Sequence, residues 1–374
     1  MSQILAALAC NLDKDILQAT LPLLIAEEVE AMEWSFDALF KTRNIPSWFV
    51  ELLKEVSQAG RLIGHGVFFS MFTGKWSEEQ SRWLKHLEKV SNAFQFEHIS
   101  EHFGFMTGEN FHQGAPISLP FTTSTLAIGQ DRLKRIQQAC NCPVGLENLA
   151  IAYSLEEVEK HGTFLAALLE PVNGFIILDL HNFYCQLHNF ELNYDELIQK
   201  YPLHLVREIH ISGGSWEDSD LFHGKPIRRD THDDSVPEVV FQLLETTIAR
   251  CPNVKYVVLE QLGIGLKTEA SKLQFQKDFR RMATIVQKNN PIKEDQNTFL
   301  PNRKYELGEA VQDLQLYQEQ MELSEILETA KDWKEAQRQI QASSLVGSAW
   351  KTEQWAPHML DTVLKIAQKW KNGF

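Results

Sequence analysis

Cysteine is scarce and scattered. Cys10, Cys140, Cys142, Cys185 and Cys251 form an odd set in a large chain, which does not read as a disulfide framework. Cys140 and Cys142 make a C-x-C pair, but no second pair completes a thiolate zinc site. Buried or incidental thiols are the expectation for all five. Positive charge is also short: 36 Lys and Arg against 50 Asp and Glu leave a formal net charge of −14. Such a surface repels phosphate backbones and argues against nucleic-acid binding, while a peptide with a basic or neutral face stays admissible. Long apolar runs are missing too. The most apolar early stretch, Ile16–Ala26, is too short to span a bilayer and lacks the flanks of a signal peptide. Low-complexity tracts and long charge blocks are absent. The expectation is a soluble cytoplasmic protein with no membrane contact.

What is there is alternation. Apolar, β-branched runs occur at Ile4–Cys10, Glu30–Phe36, Arg61–Phe69, Phe94–Phe103, Pro143–Leu149, Gly174–Leu180, Leu205–Ser212 and Lys255–Leu262. Between them lie amphipathic segments, among them Ser77–Ser91, Thr125–Cys140, Ser154–Leu169 and Val236–Cys251, the last with Pro237 near a first helical turn. Strands alternating with helices suggest a parallel sheet, and eight such units can close into a barrel of about 250 residues. The expected fold is therefore α/β, a (β/α)₈ TIM barrel over residues 1–289. A polar, turn-rich boundary sits at Asn289–Phe299. Residues 290–374 then read as a small all-α extension, with Leu314, Tyr317, Met321 and Leu323 at helical spacing and a last helix over His358–Trp370. Packing against the barrel or a homodimer surface is favoured for it over a substrate-recognition arm, because an apolar helical stripe is usually core.

The chemistry lies where the strands end. The third run carries His65, and the fourth ends Ser100-Glu101-His102. The fifth holds Leu146-Glu147-Asn148, and the sixth reads Leu178-Asp179 followed by His181, Asn182 and His188. The seventh contains Glu208-Ile209-His210, the next loop Asp230-Thr231-His232, and the eighth closes with Leu259-Glu260. An unpaired charge in a buried strand loses several kcal/mol of solvation. A succession of strands each bearing an ionisable group near its carboxyl end, where barrel active sites are built, is therefore a constellation. Imidazoles and carboxylates converging there call for a cation. Nitrogen and oxygen donors without thiolate fit iron, manganese or zinc, and the number of donors asks for more than one ion, with Glu147 or Asp230 as bridges. Blander readings exist for each residue. His65 could be a hydrogen-bonded core histidine, Asp179 a helix cap, and Asp230-Thr231-His232 a surface turn. His98, His112 and His223 read as loop or edge residues, His204 and His358 have no motif behind them, and Asp233-Asp234 read as a solvated helix start.

The same segments resemble a known family. Gly64-His65-Gly66-Val67 with Ser70 resembles the H-G-x-x-x-S strand of the multinuclear non-heme iron-dependent oxidative enzymes, the family of the iron enzymes of methanobactin biosynthesis. Ser100-Glu101-His102-Phe103 resembles its S-[DE]-H-L element, Pro120-Phe121-Thr122 its proline–aromatic–Thr turn, and Leu146-Glu147-Asn148 its L-E-N strand. Leu178-Asp179 with Asn182 and Tyr184 resembles L-D-x-N-N-x-Y, and His210-Ile211-Ser212-Gly213 resembles H-L-A-G. Asp230-Thr231-His232 with Val236-Pro237 resembles D-T-H-G-x-x-V-P, and Leu259-Glu260 the closing strand. The order holds over about residues 1–285.

The resemblance implies a TIM barrel with two or three irons, Fe²⁺ or Fe³⁺. It implies an O₂-dependent oxidation of a cysteine in a ribosomally made peptide, usually delivered by a partner protein. On that carry-over His65, His102 and Glu147 hold one iron. Glu147, Asp179 or Asn182, and His188 hold a second; His210, Asp230 and His232 surround a third position. Glu260 closes the ligand set. The chain departs from the pattern at His181, where the family commonly has Asn, at Asn189-Phe190-Glu191 and at Asp233. Two rivals remain open at this point. One is a divalent-metal barrel hydrolase or sugar isomerase, motivated by Arg228 and Arg229 beside Asp230. The other is a non-catalytic, metal-dependent binding scaffold with the helical extension as its interaction module.

Overall fold

Short apolar runs form strands when both faces are covered, as in parallel sheets. The computed structural model describes residues 3–40, 42, 45–108, 114–290, 298–301 and 305–372. In chain order its strands are β1 (Leu5–Ala9), β2 (Ala31–Trp34), β3 (Leu62–Gly66), β4 (Ile99–His102), β5 (Phe105–Met106), β6 (Pro116–Ile117), β7 (Val144–Glu147), β8 (Phe175–Asp179), β9 (Val206–Ile211), β10 (Trp216–Glu217), β11 (Ile227–Arg228) and β12 (Tyr256–Leu259). Eight of them close a parallel barrel in the order β1-β12-β9-β8-β7-β4-β3-β2, with β1 bonded to both β12 and β2. The pairs β5/β6 and β10/β11 are small antiparallel ribbons. The expected TIM barrel is present, and each expected strand run contains one barrel strand.

The barrel strands are shorter than the apolar runs. The run from Arg61 to Phe69 stops pairing at Gly66, because the buried Asp37 carboxylate accepts from the backbone N–H of Val67 at 3.0 Å and of Phe68 at 2.9 Å. Phe69 is still fully buried, now under helices. The run from Phe94 likewise begins to pair only at Ile99.

The helices are α1 (Lys14–Ile25), α2 (Ser47–Gln58), α3 (Glu78–Ala93), α4 (Thr123–Cys140), α5 (Leu155–Leu169), α6 (Leu180–Asn189), α7 (Tyr194–Ile198), α8 (Glu238–Thr247), α9 (Glu269–Lys288), α10 (Leu314–Thr329), α11 (Trp333–Gln341) and α12 (Pro357–Asn372). Their starts are chemically marked. Ser77 and Thr122 form capping boxes for α3 and α4, and Ser154 caps α5. Asp233 and Asp234 do not begin α8, which starts at Glu238 behind Pro237. They lie in the preceding loop, where Asp233 accepts from the Thr231 hydroxyl. All five cysteines are buried and free. No helix among the described residues is long and apolar enough to cross a membrane.

Helices α10 to α12 pack onto the barrel's carboxyl-end loops. The Asp313 N–H donates to the Gly74 carbonyl at 2.8 Å, and its carboxylate caps α10 and accepts from Ser124. Buried Gln320 accepts from the Gly74 N–H at 2.9 Å and donates to the Phe72 carbonyl at 2.8 Å. Trp355 stacks on Tyr153 with centroids 4.0 Å apart, and the Ala356 N–H donates to the Tyr153 carbonyl at 2.9 Å.

Two predictions arise from this packing. A Cβ on Gly74 would lie 2.5 Å from the Asp313 carbonyl oxygen and 2.6 Å from the Tyr317 nitrogen. Gly74→Ala is therefore expected to cost about 1–3 kcal/mol and to expose the α10–α12 region to limited proteolysis earlier than in the native chain. Urea titration and a timed tryptic digest check both. The second concerns His161, which packs among Phe103, Phe121 and Tyr201. Burial pushes its ring down to about 3 from an ordinary 6.5. The unfolded chain takes up that proton first, so this contribution to stability is complete above about pH 6.5. It falls as pH drops towards 3, by up to about 1.4 kcal/mol per pH unit. His161→Phe keeps a ring and removes the proton site. Its melting temperature should decline less steeply than the native one between pH 6.5 and 4.

Candidate metal centre

Strand alternation decides which side chains face the barrel axis. Register then makes neighbours of them: His65 pairs with Ser100, His102 with Glu147, and Asp179 with His210. Small residues at Ala7, Ala9 and Ala31, in a cluster with Ile63, Tyr256 and Val258, fill the barrel around them.

Three groups of donors result, the atoms within each lying inside 4.8 Å of one another: His65, His102 and Glu147; Glu147, Asp179, His210 and Glu260; and Glu33, Glu208 and His210. Glu147 is the hinge of the first two. Its Oε2 lies 3.3 Å from His65 Nε2 and 3.1 Å from His102 Nε2, while its Oε1 accepts from Asn182 Nδ2 at 3.3 Å. His210 Nδ1 lies 3.3 Å from Glu260 Oε2 and 3.9 Å from Glu147 Oε1. Asp230 and His232 form the flank. His232 Nε2 is 2.8 Å from Asp230 Oδ1, and His232 Nδ1 is 3.5 Å from Glu260 Oε2. His232 holds a left-handed backbone, φ 50°, which is uncommon outside glycine and aims this loop at the barrel mouth.

Electrostatics follow from burial against pairing. Burial opposes ionisation of Glu147, but His102 and His65 hold its carboxyl well below the usual range. Burial disfavours a charged His65, yet the bond to Glu147 and the charge of Glu33 outweigh it and raise the ring to about 10. Glu260 is opposed by burial and brought down to about 2 by His210 and His232. Burial lifts Glu33 to about 8, and burial with Asp230 and Glu147 nearby lifts Asp179 well above the carboxylate range. Protons here occupy the places that a cation would otherwise neutralise. Several polar atoms are also left short: Asp179 Oδ2 and Asn182 Oδ1 are buried without a hydrogen-bond partner, and His65 Nε2 and His210 Nδ1 meet carboxylate oxygens only at 3.3 Å, outside good hydrogen-bond geometry. A mixed N/O donor set with unsatisfied lone pairs turned to one volume fits a cluster of first-row metal ions.

Most of the sequence-derived candidates come together here. Asp179 also caps α6, its Oδ1 accepting from the Asn182 N–H at 2.5 Å, so the two readings of this residue coexist. His188 is placed elsewhere. Its Nε2 bonds the Pro226 carbonyl at 2.8 Å, and its ring packs on Trp216 and Phe222. Sequence reasoning passed over Glu33 and set His98 aside as an edge residue. His98 is in fact fully buried, with Nε2 2.5 Å from Glu208 Oε2. The spacing His98, Ser100, His102 is the period-two signal that would have found it. His112 lies outside the described residues.

A cavity of about 250 Å³ opens over His65, His102, His232 and Glu260. One wall comes from the barrel loops, including Leu149, Ile151 and Leu262; the facing wall is α12, through Met359, Thr362 and Ile366.

Comparison with known proteins bears on this site. Residues 30–264 match the family model described as RiPP precursor modification enzyme MbnB/TglH/ChrH. A UPF0276 protein of Acaryochloris marina is 28% identical over 169 residues, 44% of this chain and 60% of that protein. A UPF0276 protein of Caulobacter vibrioides is 25% identical over 188 residues, 50% of this chain and 64% of its own length. The chain thus spans less than two thirds of these relatives. Among solved structures, the IOLI protein with a bound zinc atom aligns at a TM-score of 0.47 and 11% identity, over 77% of this chain and 99% of that one. An L-ribulose 3-epimerase aligns at 0.45 and 11%, over 76% and 91%.

Because Glu147 serves two donor groups, Glu147→Gln is expected to lose more than one ion per chain, whereas His188→Ala keeps the native metal content. Elemental analysis of anaerobically purified proteins measures this. Equal losses in the two variants would refute the grouping.

Proposed function

This chain belongs to the RiPP precursor modification enzyme family MbnB/TglH/ChrH, and on that premise we propose that it holds two or three iron ions and uses O₂ to oxidise a cysteine of a ribosomally synthesised precursor peptide. The observation that carries the metal reading is the set of orphaned, converging donors around Glu147. His65, His102 and Glu147 would hold one ion, and Glu147, Asp179, His210 and Glu260 a second, with Asn182 beside the bridge. Asp230 and His232 flank a third position. Iron bound there would supply the redox chemistry, with O₂ as electron acceptor and the cysteine as donor.

The protein's own residues do the rest. His102 is the most accessible of the first group, its side chain 30% exposed, and it lines the cavity, so a peptide side chain arriving through the mouth meets that group first. The cavity suits a cysteine and its neighbouring backbone rather than a folded domain. Its apolar walls, Leu149, Ile151 and Leu262 opposite Met359 and Ile366, exclude water from the reacting centre. A separate protein that delivers the peptide is part of the same proposal.

The hydrolase alternative drew on Arg228 and Arg229 as phosphate ligands. Both are engaged: Arg228 Nε donates to His181 at 3.0 Å, and Arg229 pairs with Glu217. These contacts tie both guanidinium groups to protein partners, although each keeps further N–H donors.

The test is reconstitution. The iron-loaded protein, incubated aerobically with short Cys-containing precursor peptides from its own genome, should change the mass of its substrate peptide at the cysteine. Tandem mass spectrometry should locate no change under argon or in a Cys→Ala peptide. Turnover that is equally fast without O₂, or that cleaves a phosphoester or isomerises a sugar, would refute the proposal.

A further inference from the structure

Two histidines facing the metal volume are each held at the end of a relay that begins at an arginine. In the first, Arg207 Nε donates to His98 Nδ1 at 3.2 Å. His98 Nε2 lies 2.5 Å from Glu208 Oε2, a charge contact outside hydrogen-bond geometry, and Glu208 Oε1 lies 2.7 Å from His210 Nε2. In the second, Arg228 Nε donates to His181 Nε2 at 3.0 Å, and His181 Nδ1 lies 3.0 Å from Asp230 Oδ1. Asp230 Oδ1 in turn lies 2.8 Å from His232 Nε2.

A guanidinium has no acceptor and keeps its protons, so it fixes the direction of each relay. The ring nitrogen that accepts from it carries a lone pair. The other nitrogen of that ring then carries the proton, which is also what permits a nitrogen to stand 2.5 Å from a carboxylate oxygen at His98. Asp230 Oδ1 accepts from His181 and stands 2.8 Å from His232, while Glu208 meets His210 through Oε1 and stands against His98 through Oε2. We infer that Arg207–His98–Glu208 and Arg228–His181–Asp230 are positioning relays that hold His210 and His232 as Nε2–H tautomers. Their Nδ1 atoms are thereby assigned as the metal-ligating atoms.

Geometry at the far end agrees. Both Nδ1 atoms face the same oxygen, Glu260 Oε2, at 3.3 Å for His210 and 3.5 Å for His232. His210 Nδ1 is buried and has no hydrogen-bond partner. Glu33 Oε2, 3.2 Å from His210 Nε2, places a second carboxyl on the protonated side of that ring. The second relay uses His181, a position at which this chain departs from the pattern it resembles. A ligating imidazole whose other nitrogen is held by a carboxylate is fixed in orientation and is a better donor, an effect worth about 10–100-fold in metal affinity.

This inference rests on the metal-centre reading but on neither the identity of the native metal nor the peptide reaction. Zn²⁺ is the probe. Long-range ¹H–¹⁵N spectra of ¹⁵N-histidine-labelled full-length protein, with and without Zn²⁺, report the proton on each ring. The expected result is a protonated Nε2 and bare Nδ1 at His98, the reverse at His181, and Zn²⁺ on Nδ1 of His210 and His232 with Nε2–H retained. The opposite tautomer at His98 or His181, Zn²⁺ on Nε2 of His210 or His232, or no response of these two rings to Zn²⁺ would each overturn it. A competition titration adds a second readout. His181→Leu should weaken Zn²⁺ binding about tenfold or more. His181→Gln, whose amide can accept from Arg228 and donate to Asp230, should recover most of that loss, and equal weakening in both variants counts against the relay. A protein that passes these tests and oxidises no peptide would keep the relays and lose the proposed function.

Discussion

Taking a carboxylate or an imidazolium out of water costs several kcal/mol unless a partner waits for it, and the upper half of this barrel takes out many. Glu33, His65, Glu101, Glu147, Asp179, Glu208 and His210 are all nearly inaccessible. None could stay charged alone. Most are set against an opposite: Glu147 against His65 and His102, Glu208 against His98 and His210, Glu260 against His210 and His232. The pairing is incomplete on purpose-built terms. Glu33 Oε1 and Asp179 Oδ2 are left over, and His65 Nε2 and His210 Nδ1 meet their carboxylates only loosely, at 3.3 Å. A barrel selected for stability alone would fill that space with branched apolar residues, as the cluster around Ile63 and Val258 does. The unmatched remainder is the capacity to hold cations.

The same solvation cost explains what was legible in the sequence. An ionisable residue within an apolar β-branched run is conspicuous because burial would penalise it, and that rule found His65, His102, Glu147, Asp179, His210 and Glu260 without any structure. It applied equally to Glu33, inside Ala31–Trp34, but a single glutamate near the start of the chain gave no motif to attach it to. His98 was lost because the apolar run around it begins five residues earlier than β4, so its place in the alternation was hidden. His188 entered the ligand set through the resemblance, as a ligand of the second iron. On α6 six residues amount to about 600° of rotation, which turns His188 away from Asn182 and towards the β10/β11 ribbon. The barrel itself was readable because eight alternating units admit few other closures. Strand ends were not, since loops held by buried groups such as Asp37 are as apolar as the strands they follow.

The sequence of the helical extension is compatible with packing, a dimer surface or a recognition arm. Its apolar residues do pack, Leu323, Leu327 and Val363 being fully buried. Yet packing and recognition are not alternatives when the surface packed against is the rim of the cavity. Helix α12 can line the cavity only because Trp355 on Tyr153 and His358 on the Asn189 carbonyl set its height above the barrel.

That placement also reaches the loop carrying Asp230 and His232. Glu217 accepts from Lys365 on α12 at 2.5 Å and pairs with Arg229 on the adjoining loop. One carboxylate therefore ties the extension to the residue next to Asp230, and through Asp230 to His181 and His232. A displacement of α12 would both uncover the cavity and take one of two cations from Glu217, leaving Arg229 as its remaining partner. The barrel supplies the donors, but the shape of the opening above them, and part of the electrostatic balance of the loop at its edge, belong to the last helix.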